Sequence, residues 1–231
     1  MANSTVVKVT QASSPDLFFA LRGGGNNFGI VTSVTLEIFR DPPWYTFQLW
    51  DIGIIGVLFQ QLQDVTVKMP DEVFQTSVTL AWHVPKQEFV VSERTVASEI
   101  PDLWSSLSFP GAELSGKSSR ALKTLVFRRS TLELARKMDE MNPAGTYNYF
   151  GSVTVKNDAR AFIALAEVFF EEVLYLQKSS GVRVNIVYNP LTIETIGKMY
   201  TRSGNALGID VEDGSLMSKS HHAGTCSVLT L

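Results

Sequence analysis

The sequence predicts an α+β chain, and three observations carry that reading. Apolar residues alternate with period two at 74–84 and 182–188, as in half-buried strands, and recur every three or four positions at 158–176, as in an amphipathic helix. Strand-like and helix-like segments also fail to alternate in the regular strand–helix–strand order of a parallel sheet. An antiparallel sheet with helices on one face satisfies all three.

The elements follow in order. Ser14-Pro15-Asp16 starts a helix, with Ser14 as cap, Pro15 in the first turn and Asp16 at the positive end of the dipole. Leu17, Phe18, Ala20 and Leu21 give it about two turns before glycines stop it. Ile30, Val31, Val34, Leu36, Ile38 and Phe39 then predict a strand over 29–39, because branched residues favour a pleated surface. Pro42-Pro43 breaks the chain. Beyond it the pattern predicts a strand over 44–50, a helix over 54–68 and the 74–84 strand, with 87–91 pairing back on it. A further strand covers 122–127, and Ser130-Thr131-Leu132-Glu133 is a capping box opening a helix to about Met141. Residues 146–155 read as a strand, and Asp158 caps the best helix, with Phe162, Leu165, Ala166, Phe169 and Val173 inward. Val182, Val184, Ile186 and Tyr188 alternate until Pro190 stops them, and 193–200 is one more short helix.

Composition narrows the function. A net charge of −3 with no basic stripe argues against nucleic acid as a partner. The densest basic cluster, Arg120, Lys123, Arg128 and Arg129, is diluted by apolar neighbours and reads as a solvated strand face. No apolar run reaches membrane-spanning length, which argues against a membrane partner. The N-terminus lacks the pattern of a signal peptide, so the chain as written reads as cytosolic. The single cysteine, Cys226, excludes an internal disulfide framework. His221 and His222 are adjacent, point apart on a strand and lack further ligands, so no metal is expected.

The most informative stretch is Arg22-Gly23-Gly24-Gly25-Asn26-Asn27-Phe28-Gly29-Ile30-Val31-Thr32. A loop this poor in side chains admits close approach of a backbone or a ligand. Its spacing matches neither a dinucleotide-binding Gly-x-Gly-x-x-Gly nor a P-loop. Taken from Asp16 to Thr32, the string resembles the end of the FAD-binding domain of FAD-linked oxidases. This is the family of berberine bridge enzyme and 6-hydroxynicotine oxidase, whose flavin domain is of the PCMH type. Residues 2–9 resemble the hairpin before that helix.

The resemblance implies a C-terminal remnant of a PCMH-type FAD-binding domain over 1–39, a substrate domain over 44–210 and an atypical tail over 211–231. Ser218 to Cys226 does not read like the strand expected after Ile209. The cofactor implied is FAD, with Gly23, Gly24, Gly25, Asn26, Asn27, Phe28, Gly29, Ile30 and Val31 as flavin-side positions. Phe28 reads more readily as core than as a stacking face. Covalent attachment is not expected, since no histidine or cysteine precedes the proline break. The activity implied is oxidation of a small organic metabolite, with flavin as hydride acceptor and oxygen as reoxidant, by analogy in fungal secondary metabolism. The alternative is a truncated, non-redox remnant that binds a small molecule or a partner chain. No catalytic base is assigned and the oligomeric state is not fixed. His83 on the polar phase of its strand, Tyr147, Asn148 and Tyr149, and Arg183 with Asn185 are weaker substrate-facing candidates; His83 is better explained as a surface or hydrogen-bonded histidine, and the others by packing in or on the sheet.

Overall fold

A computed structural model describes residues 5–25, 27–36, 44–69, 73–83, 88–98, 123–128, 130–141, 146–176, 182–201 and 204–226. The chain divides into two compact units: Met1–Arg40 with Thr192–Ser215, and Asp41–Leu191 with Leu216–Leu231. This grouping differs from the boundaries expected above, because 192–210 joins the N-terminal segment and 216–226 joins the larger unit.

The larger unit is a seven-stranded sheet in the order β4-β1-β3-β2-β6-β7-β5. Its strands are β1 (Trp44–Trp50), β2 (Val73–His83), β3 (Glu88–Ala97), β4 (Lys123–Arg128), β5 (Thr146–Lys156), β6 (Val182–Leu191) and β7 (Leu216–Cys226), and every described pairing is antiparallel. Two helices supply much of the core, α2 (Ile55–Val67) and α4 (Ala159–Leu176); α3 (Thr131–Met141) lies between β4 and β5 in sequence. Leu58, Phe59 and Leu62 of α2, and Phe162, Ala166, Phe169 and Val173 of α4, are buried with Val78, Leu80, Val91, Ile186 and Tyr188 of the sheet. The rings of Phe59, Phe162 and Tyr188 meet with centroids 4.7–6.0 Å apart. Tyr188 keeps its phenol satisfied in that apolar setting by donating to the Phe162 carbonyl at 3.1 Å. Gln63 near the end of α2 ties down the start of α4, its Oε1 accepting from the Ala159 amide at 2.6 Å and its carbonyl from Asn157 at 2.9 Å.

Most elements form where periodicity puts them, and the 130–133 capping box is present, with Glu133 accepting from the Ser130 amide at 2.9 Å. Three expectations are corrected. The supposed atypical run 218–226 is strand β7, paired along its length with β5 and along ten residues with β6. Pro190 lies inside β6, opposite Met217, rather than ending it. Residues 30–36 form no strand: a ladder needs a neighbour, and among the described residues none pairs with them.

The smaller unit holds α1 (Pro15–Leu21), the glycine loop, α5 (Ile193–Tyr200) and a 3-10 turn, Val211–Asp213. Ser14 occupies the cap position of α1, but its side chain makes no capping bond. Thr192 does cap α5, accepting from the Thr195 amide at 3.0 Å.

Candidate functional site

The glycine loop is built by the chain's return at 199–207. Arg22 donates through Nη2 to the carbonyls of Met199 at 3.4 Å and Thr201 at 3.2 Å, where α5 ends and its carbonyls lack helical partners; Asn205 also donates to Met199, at 2.9 Å. Its own carbonyl accepts from the Ala206 amide at 2.8 Å. Arg22 thus anchors both sides of the loop's entry.

The glycines that follow have different reasons to be glycine. Gly23 takes φ +107°, and a Cβ there would lie 2.6 Å from Leu207 Cγ. At Gly24 a Cβ would lie 2.3 Å from the Ala20 carbonyl oxygen and 2.4 Å from the Phe28 ring. Both positions are consumed by the chain's own packing. Gly25 also sits in the left-handed region, φ +67°, but among the described residues nothing lies within 4 Å of where its Cβ would be. Asn27 closes the turn by donating to the Gly24 carbonyl at 2.9 Å. Asn26 lies outside the described residues. Phe28 is 42% exposed and so is not core. Gly29 has φ 146°, while Ile30 and Val31 are exposed. The nine expected residues therefore separate into structural positions, 23 and 24, and an open surface at 25 and 28–31.

On the sheet, register decides which of the weaker candidates share a face. The described helices cover the side of Val78, Leu80 and Val91, so Ser77, Thr79 and His83 of β2 take the side free of described helices, the helix-free side. Asn185 pairs with Ala81 and joins them. His83 Nδ1 is enclosed and has no hydrogen-bond partner. Tyr149 falls in the opposite phase, since it pairs with Ala223, which pairs with core-side Val184. The side chains of Tyr147, Asn148, His221, His222 and Cys226 lie outside the described ones. Among the described residues no cluster of metal-ligating side chains is present, and no helix is long and apolar enough to cross a membrane.

The helix-free face also carries Arg94, which the sequence reading did not single out. Arg94 pairs with Phe47 on one side and Ser77 on the other. Its Cζ sits 6.0 Å from the Phe47 ring centroid. Burial lowers its pKa from the ordinary guanidinium value.

No protein-family model matches the chain. It is 26% identical over 233 residues to the FAD-dependent monooxygenase FUP4 of Fusarium proliferatum, covering 94% of this chain and 43% of that protein. Among solved structures it resembles the xylooligosaccharide oxidase of Myceliophthora thermophila C1, with TM-score 0.61 at 18% identity, covering 96% of this chain and 48% of that one. It also resembles berberine bridge enzyme, with TM-score 0.59 at 15% identity over 93% of this chain and 43% of that one.

A helix–glycine-loop segment preceding an antiparallel sheet backed by helices is the α+β fold of the PCMH-type FAD oxidases. In sequence the chain is similar to FAD-linked oxidoreductases, and in fold to berberine bridge enzyme. It spans about half the length of the relatives it matches.

Proposed function

We propose that this protein is an FAD-linked oxidoreductase that oxidises a small organic metabolite, in a fungal secondary pathway by analogy with its relatives. The observation that carries the reading is Gly25, a left-handed glycine facing open space in a loop whose neighbouring glycines are filled by the chain. The residues present fit a flavin there. A flat ring needs close approach to backbone and an apolar flank, and Gly25 with exposed Phe28, Ile30 and Val31 offers both. Gly23 and Gly24 act instead by holding the loop against Leu207 and Phe28. When bound, FAD supplies acceptance of a hydride from a substrate C–H bond and its delivery to oxygen. The chain's part is to present the loop rigidly through Arg22.

A second reading, a non-redox binding remnant, is favoured by Ile30, Val34 and Leu36, which stand exposed with no strand pairing among the described residues. FAD titration separates the two. The oxidase reading expects flavin fluorescence to be quenched on adding protein and the Gly25→Val variant to lose that quenching. A colourless protein indifferent to FAD at all concentrations supports the remnant.

A further inference from the structure

We propose that the helix-free face of the sheet holds a site for an organic carboxylate, centred on Arg94 with Ser77, Ser92 and Phe47. The inference goes beyond the flavin reading and names the chemical class of the ligand. The face is set by register. Arg94 faces Phe47 across β1 and Ser77 across β2, and its neighbour two residues back, Ser92, faces Leu49 and Thr79. Around one cation the fold therefore gathers three hydroxyls and two apolar side chains, all from adjacent strands of the same sheet.

The cation is short of a counter-charge. Among the described residues Arg94 makes no ion pair; the ion pairs there join Arg160 to Asp158 and Lys198 to Glu194. Its neighbour in sequence, Glu93, lies on the opposite, helix-covered face beside Leu58, Leu62 and Val78. Glu88, the next acid along β3 in the phase of Arg94, is six residues away, roughly 20 Å of extended chain. The Phe47 ring face offsets only part of the cost of desolvating a guanidinium, and burial already weighs against its charged form. Ser77 and Ser92 are 6% and 8% exposed, so they do not face bulk water.

A carboxylate completes this arrangement. The guanidinium fork takes its two oxygens, the hydroxyls donate to the remaining lone pairs, and Phe47 with Leu49 covers the organic part. A neutral sugar or alcohol uses the hydroxyls but leaves the cation without a counter-charge. A polyanion such as phosphate finds one cation where it needs several.

The test measures binding of benzoate, benzyl alcohol and inorganic phosphate to the 231-residue chain by calorimetry. Benzoate is expected to bind more tightly than either other probe. Arg94→Gln should weaken benzoate about tenfold or more, the loss of one charge-assisted pair, and leave benzyl alcohol unchanged. Equal benzoate affinity in Arg94→Gln, or preference for benzyl alcohol or phosphate, overturns the site. Should Arg94→Gln fail to fold, the unmodified protein still decides. Benzoate should protect Arg94 from phenylglyoxal, read by peptide mass spectrometry, and equal protection by benzyl alcohol overturns the proposal. Failure here is distinguishable from failure of the flavin reading. Protein that quenches FAD but ignores Arg94→Gln loses only the carboxylate site, and benzoate bound without any flavin uptake loses only the oxidase.

Discussion

The two units are held together by different means. The sheet unit hides Phe59, Leu80, Phe162, Ile186, Tyr188 and Met217 completely, a core in which each ring and methyl has neighbours on every side. The smaller unit buries little: α1 has no buried residue, and α5 buries only Ile196. Its fixed points are polar and local, the Arg22 bonds to Met199, Thr201 and Ala206 and the seat of Leu207 on Gly23. One unit is specified by volume, the other by a few hydrogen bonds and the absence of side chains. The second kind leaves a backbone accessible, as the proposed flavin loop requires, and makes it sensitive to single methyl groups.

Phe162→Ala puts this contrast under the greatest load. It empties a site between Phe59 and Tyr188 and should cost the sheet unit about 3–5 kcal/mol, read from urea unfolding followed by fluorescence of buried Trp50 and Trp82. A loss below about 1 kcal/mol would deny that this ring is core. Gly23→Ala and Gly25→Ala come next as a pair. The first must displace Leu207 and should cost about 2 kcal/mol or more, visible as faster hydrogen exchange of the Ala206 amide. The second meets no atom and should cost about 1 kcal/mol, from its left-handed backbone alone. Equal effects would erase the distinction between structural and open glycines.

Tyr188→Phe removes the donor to the Phe162 carbonyl and keeps the ring, so about 1 kcal/mol should be lost in the same unfolding assay.

The remaining test is a pH slope. Glu93 faces the apolar side of α2, and burial raises its carboxyl to about 7 although the Trp50 indole pulls it partly back. Its folded pKa is above the ordinary 4.5, so the folded state holds more protons between those values. Its contribution is full below about pH 4.5 and is lost as pH rises through about 7. Glu93→Gln should flatten stability across that window, and an unchanged slope would show that another group sets it.

How much of this was legible in the sequence depends on where each element finds its partners. The 159–176 helix announces itself, because Phe162, Ala166, Phe169 and Val173 carry the core pattern in their own spacing. The glycine loop is likewise visible from composition alone. Strand β7 is not: Ser218-Lys219-Ser220-His221-His222 has weak strand propensity, and its conformation is imposed by β5 and β6 on either side. The reverse error occurs at 30–36, where branched residues promise a strand and no described neighbour completes it. Arg94 was hidden for a third reason. A lone arginine in an alternating strand reads as solvated, and only register shows what stands across from it.

The placement of β7 sets an order on the making of the molecule. Strand β5 is finished at residue 156, yet its described neighbour in the sheet begins at residue 216. On a ribosome adding roughly ten residues per second, the β5 edge waits several seconds while α4, β6 and α5 are synthesised. During that interval β6 can already dock on β2, but the seat beside it stays vacant. Residues 216–226 then enter last, as a wedge between two strands already made, so a nascent chain halted before Leu216 should expose two open edges and be the form most in need of a chaperone.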